Sequence, residues 1–234
     1  GSNVDDVAFL ISLAQELQNT YNLSSENTFL TGMSNGAELS YLIACESPGT
    51  FKAYAPVAGT IFINGLTNDT CNGTSSPIFE IHGLNDNVTL FNGNPNDQFW
   101  GAYLTIDSIM DFWVSANGLD ILNIDTLPNL NNNNKYTISY KYSSNNLMNE
   151  VWLYKHKNGH SWDVDDINVE EEIWDFFGKY ITSTNTSVNT ETLIPKRKLV
   201  RTVNLFGQEV GQIKNKFILN IYDDGTVEKI ILLE

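Results

Sequence analysis

The sequence predicts an α/β fold followed by a small all-β module, and three observations lead there. Short apolar runs alternate with segments of helical periodicity through residues 1–182. A glycine- and serine-containing turn, Gly32-Met33-Ser34-Asn35-Gly36, stands where one such run gives way to a helix. Beyond a polar stretch at residues 183–195 the pattern becomes wholly β-rich, which sets off residues 196–234 as a separate module.

The elements follow in order. Val4, Val7, Ala8, Ile11, Ala14 and Leu17 recur at helical spacing, with Asn3 as the expected cap and Asp5 and Asp6 near the positive helix end. A turn over residues 22–27 precedes a β-like run at 28–31 (TFLT), and residues 37–45 are helical again. The runs AYAPVA (53–58) and IFEIH (78–82) suit buried parallel strands. Residues 105–116 form a helix with Ile106, Ile109, Met110 and Trp113 on one face. Residues 136–142 and 151–156 are β-rich, with His156 at a solvent-facing position. Residues 169–181 make a helix whose first turn carries Glu170, Glu171 and Glu172, where negative charge meets the helix dipole favourably. The asparagine-rich residues 129–134 are a connection. In the tail, residues 198–205, 217–222 and 227–233 are strands, and Asp223-Asp224-Gly225 turns between the last two.

Composition narrows the function. The 234 residues carry 13 basic and 28 acidic side chains, a net charge of −15, so nucleic acid and anionic membranes are poor partners. No stretch is apolar enough to span a bilayer. Gly1 opens the chain without a signal peptide. The expectation is a start removed by processing or truncation, or a Gly1-Ser2 scar. Cys45 and Cys71 form one disulfide in an oxidising compartment or stay as two inert thiols in a reducing one. They lack the companions of a metal site, and no cofactor is expected.

Gly, Ser and Asn also gather in ordinary turns, so the rest of the chain must weigh the G-x-S-x-G pattern. A nucleophilic serine needs a base, and the base is usually histidine. His82 follows an apolar strand and reads as structural, whereas His160 stands in Asn158-Gly159-His160-Ser161-Trp162, a loop past the last strand of the α/β region. In open α/β sheets that edge hosts ligands. Asp86, in the loop His82-Gly83-Leu84-Asn85-Asp86, is the acid, with Asp97 and Asp107 in reserve. Each position alone also suits a turn or a surface. The order Ser34, Asp86, His160 with every member at a strand end carries the assignment.

Together VDDVAFL, TGMSNGAELSYLIACE, FKAYAPVAG, IHGLNDNV and NGHSW resemble polyhydroxybutyrate depolymerase-like and feruloyl or acetylxylan esterases, the carbohydrate esterase family 1 group of α/β-hydrolases, over about residues 4–181. The resemblance implies a partial α/β-hydrolase fold, its carboxyl-terminal part from the helix before the nucleophile strand. It implies Ser34 as nucleophile, Asp86 as acid, His160 as base and the Asn35 backbone N–H as one oxyanion donor. It places Trp162 near the site, as a substrate-binding wall for an acyl or aromatic group or simply as core, and it bridges Cys45 to Cys71. The second oxyanion donor and about half of the sheet are expected upstream of this chain. The substrate class implied is a polyhydroxyalkanoate or a feruloyl- or acetyl-polysaccharide ester.

The tail, with KRKLVRTVNLFGQEV and FILNIYDDGTVEKIILLE, resembles the carboxyl-terminal sorting domain of type IX secretion cargo in Bacteroidetes. That implies export to the cell surface or medium and the type IX machinery as partner. Two other readings stand beside the esterase. One is a non-catalytic carbohydrate-binding or adhesion protein using Phe99, Trp100 and Tyr103. The other is a metal hydrolase using His156, His160 and Asp163 or Asp165, which lie on no helix with ligand spacing.

Overall fold

The computed structural model describes residues 5–63, 71, 75–131, 134–182, 198–204, 207–211, 217–223, 225 and 227–231. The chain divides into two compact units, Gly1–Thr182 and Ser183–Glu234. The expected linker at 183–195 lies outside the described residues.

The first unit runs α1 (Asp6–Tyr21), β1 (Leu30–Met33), α2 (Asn35–Glu46), β2 (Tyr54–Val57), β3 (Ile78–Gly83), α3 (Ile106–Ala116), β4 (Ile121–Thr126), β5 (Thr137–Ser144), β6 (Leu147–His156) and α4 (Val169–Gly178). Its six strands lie in the order β1-β2-β3-β6-β5-β4. The first four are parallel and the last two pairings are antiparallel. This is a mixed α/β sheet with helices packed on both faces. Its consequence for function is geometric: β1, β3 and β6 point the same way, so the loops after them meet along one sheet edge.

Strand period decides which side chain faces which helix layer. Tyr54, Ile78, Val151 and Leu153 point to one face, where they join Tyr41 and Ile43 of α2 and Ile109, Met110 and Trp113 of α3. Ala55, Val57, Phe79, Ile81, Trp152 and Tyr154 point to the other, against Ile173, Phe176 and Phe177 of α4. Both faces are covered, so β2 and β3 are buried end to end. Trp113 is wholly buried, and truncating it to Ala should cost about 3–5 kcal/mol.

Several expectations need correction. Asn3 lies outside the described residues, and Asp5 caps α1 by accepting the Ala8 N–H at 2.9 Å. Val7, Leu10 and Ala14 make the core side of α1, while Leu17 stays exposed. His156 is not solvent-facing: it is fully buried, because β6 is a central strand and the loop beyond it folds over its end. The asparagine-rich connection is anchored, since Asn131 and Lys135 bind the backbone and carboxylate of Asp165. β4 was not anticipated at all.

The second unit is a three-stranded antiparallel sheet, β7 (Leu199–Val203), β8 (Phe217–Tyr222) and β9 (Val227–Ile231), in that order. Gly225 takes φ 82° between β8 and β9, where the turn needs a residue free to adopt positive φ. Asp224 of the expected turn lies outside the described residues.

Candidate active site

Ser34 caps α2 directly after β1, at φ 56° and ψ −120°. A non-glycine residue at positive φ is strained, and it persists only where the surroundings over-determine it. They do so here. The Ser34 N–H donates to the Val57 carbonyl at 2.9 Å, and the Ser34 carbonyl accepts the N–H groups of Ala37 and Glu38 at 2.9 and 3.0 Å. A Cβ on Gly32 would sit 2.7 Å from the Gly36 backbone, so only glycine lets the strand end touch the helix start. The reverse does not hold, for a Cβ on Gly36 would meet nothing within 4 Å. The turn is thus a sharp strand-to-helix elbow with its serine at the tip. Asn35 opens the helix, so its N–H has no carbonyl one turn back within it and lies at the positive end of the dipole.

Asp86 stands three residues beyond β3 and is buried. One carboxylate oxygen, Oδ1, accepts the N–H groups of Val88 and Thr89 at 2.8 and 2.9 Å. The other lies 2.7 Å from His160 Nδ1. An ionised carboxylate accepts only, so His160 donates Nδ1–H and keeps Nε2 as its acceptor. The two loops are joined by backbone as well. Leu84 N–H reaches the His156 carbonyl at 2.8 Å, and the Asn85 side chain donates to the Lys157 carbonyl at 2.7 Å.

Ser34 lies on the same sheet edge, although no hydrogen bond joins it to His160 among the described residues. Electrostatics does link the two loops: burial raises the Glu38 carboxyl above its ordinary range, and His160 opposes that rise. Glu38 is in the first turn of α2, so His160 stands within electrostatic reach of the elbow. Beside Asn35 opens a cavity of about 400 Å³, with Leu39, Leu42, Ile61 and Phe62 among its apolar walls.

The other candidates fall elsewhere. Trp162 packs against the α4-side core, donates its indole N–H to Glu170 at 2.6 Å, and borders a groove with Phe29 and Trp174 rather than the Asn35 cavity. Asp97 organises its own loop by accepting the N–H groups of Phe99 and Trp100, and Asp107 pairs with Lys155 at 2.6 Å. Phe99 and Trp100 are 94% and 61% exposed, whereas Tyr103 is buried and cannot share their surface. Burial depresses His156 to a pKa of about 4, which leaves it neutral. Among the described residues no group of three or more His, Cys, Asp or Glu could hold a metal. Cys45 and Cys71 are joined in a disulfide. Among the described residues no helix is long and apolar enough to cross a membrane.

Sequence reasoning missed Glu80 and the role of its neighbours. Glu80 and His82 are both fully buried on β3, hydrogen-bonded to each other at 2.7 Å. The signal was present: two polar residues spaced by two within IFEIH fall on one face of a buried strand, and such groups need partners.

No protein-family profile matches the chain. Among curated proteins it is similar to the probable feruloyl esterase C of Aspergillus niger, 33% identical over 94 residues that make up 39% of this chain and 33% of that protein. The probable feruloyl esterase C of Aspergillus clavatus is 35% identical over 91 residues, 38% of this chain and 31% of its own. The feruloyl esterase C of Emericella nidulans is 32% identical over 94 residues, 39% and 33% of the two chains. The matched region spans about a third of the length of these relatives. Among solved structures, an acetyl xylan esterase from Aspergillus awamori superposes with TM-score 0.47 at 15% identity, covering 74% of this chain and 67% of that one. Esterase PE8 gives TM-score 0.43 at 15% identity, with 74% and 59% covered.

Proposed function

We propose that this chain belongs to a secreted serine esterase that cleaves carboxylic esters through an acyl-enzyme. The observation that carries the reading is the 2.7 Å contact between buried Asp86 and His160 on the sheet edge where strained Ser34 stands. In this reading His160 Nε2 takes the Ser34 proton as Oγ attacks the ester carbonyl. Asp86 holds the ring in the tautomer that leaves Nε2 free and stabilises the imidazolium that forms. The Asn35 N–H and the positive end of α2 face the developing oxyanion. Protonation of the leaving alcohol by His160 yields the acyl-Ser34, which water then releases through the same histidine.

A feruloyl or similar aryl ester of a polysaccharide is the substrate we favour. The curated relatives are named as feruloyl esterases, and the cavity beside Asn35 has Leu39, Leu42, Ile61 and Phe62 to receive an aromatic acyl group. Acetylated polysaccharide and polyhydroxyalkanoate remain substrates to assay, on the strength of the motifs alone. The disulfide supports an oxidising compartment and hence secretion. The type IX address rests on the tail sequence, since the curated relatives are fungal and lend it no support.

A second reading, a carbohydrate-binding protein without turnover, draws on the exposed aromatics Phe99 and Trp100. Intact-mass labelling with a fluorophosphonate separates the two. A single adduct on the wild-type protein, lost in Ser34→Ala, supports the esterase. Polysaccharide retention without an adduct overturns it.

A further inference from the structure

Beneath the Asp86 loop, on the α2 side of the sheet, lies a buried, hydrogen-bonded pair, Glu80 and His82, that the esterase chemistry does not use directly. Resting on the reading of Asp86 and His160 above, we propose that His82, held charged by Glu80, is a positioning residue that fixes Asp86 where it meets His160.

His82 Nε2 lies 2.9 Å from the Thr89 carbonyl, which only accepts, so Nε2 carries a proton. Glu80 receives the Tyr41 hydroxyl at 2.9 Å and the Gly59 N–H at 3.3 Å; burial raises its carboxyl pKa, and His82 together with these two bonds opposes that rise. Its Oε1 lies 2.7 Å from His82 Nδ1, which donates to it in the proposed charged state. With hydrogens on both nitrogens the ring is an imidazolium. Burial opposes that charge, yet the bond to Glu80 and its negative charge raise the His82 pKa above the ordinary value.

The charge is aimed. His82 Nε2 lies 3.5 Å from Asp86 Oδ2, the oxygen that receives His160. Thr89 closes a ring around it, accepting from His82 through its carbonyl and donating its N–H to Asp86 Oδ1 at 2.9 Å. Phe91 covers the imidazolium edge-on with ring centres 5.8 Å apart. The titratable neighbours are Glu80 and, through it, Tyr41 of α2 on one side, Asp86 above, and neutral His156 from β6. Glu38 acts on His160 from the elbow side. Glu80 and His82 thus form a dipole with its positive end toward the Asp86–His160 pair. That end faces the Asp86–His160 contact, so its removal should be legible in the pH dependence of the site. Tyr41 ties the same dipole to the helix that carries Ser34 at its start.

Histidine NMR on the wild-type protein is the first test. His82 should show both ring nitrogens protonated at pH 7, and a neutral His82 overturns the proposal. The second test is the pH titration of His160 in Glu80→Gln, His82→Gln and the double variant Glu80→Gln/His82→Gln, which removes both charges at once. Each should raise the His160 midpoint by about half a pH unit or more. Labelling of Ser34 by a fluorophosphonate below that midpoint should slow about threefold or more, in step with the shift. A purely structural role would lower labelling equally at every pH, and an unmoved midpoint in a folded variant overturns the proposal. A wild-type protein that takes no label while its His160 midpoint still moves would sink the esterase reading and leave the positioning role standing.

Discussion

A Cβ on Gly83 would stand 2.4 Å from the carbonyl oxygen of Asn158, so the strand end leading to Asp86 presses directly on the loop carrying His160. No side chain fits between them. The contact sets the spacing at which Asp86 and His160 meet.

Gly83→Ala should therefore push the two loops apart. We expect a stability loss of about 1–3 kcal/mol, as for other overpacked sites, with a larger proportional loss of ester hydrolysis. Chemical denaturation and labelling rates on the same protein check both. Unchanged labelling would show that the loops adjust without disturbing the Asp86–His160 contact.

Asp86→Asn keeps the shape of the side chain and an oxygen for the Val88 and Thr89 N–H groups. Its amide donates where the carboxylate accepted, which turns His160 to the wrong tautomer. A fall in kcat on the order of 10⁴ is expected, with folding retained. Hydrolysis of a chromogenic ester beside a thermal melt is the measurement.

The buried histidines give opposite pH signatures. His156 has its folded pKa depressed to about 4, below the unfolded value, so the unfolded state binds the extra proton first. Its contribution is neutral above about pH 6.5 and destabilises as pH falls from there toward 4, by up to about 3 kcal/mol. His82, with a raised folded pKa, stabilises at low pH and loses that contribution as pH rises through its folded pKa. Denaturant midpoints from pH 4 to 8 should show the acid-side loss, and His156→Gln should flatten it.

The disulfide joins Cys45 of α2 to Cys71 across 26 residues, a segment that includes the cavity residues Ile61 and Phe62. Reduction should cost about 3 kcal/mol by loop entropy. It should also raise KM for aryl esters more than it lowers kcat, read by steady-state assay with and without dithiothreitol.

Much of this protein was legible from local pattern, and the failures share a cause. Helices α2, α3 and α4 announced themselves by period, and the buried strands by apolar runs. β4 did not, because it pairs only with β5 at the sheet edge and leaves all but its first residue exposed. An edge strand need not alternate, so its sequence reads as loop. His156 was misjudged because exposure at a strand's end depends on what the following loop covers.

The sequence by itself determined the elbow, the order of Ser34, Asp86 and His160, and the alternation that makes an α/β sheet. Those depend on residues close together in the chain: glycine beside a sharp turn, periodicity along a strand, an N–H at a helix start. Tertiary structure alone brought Asp86, rather than the reserve carboxylates Asp97 and Asp107, to 2.7 Å from His160. Four parallel strands bring loops from distant parts of the chain to one edge, and Gly83 lets two of them touch. The same packing buries Glu80 and His82 together, where desolvation makes each require the other, and no local pattern states that pairing.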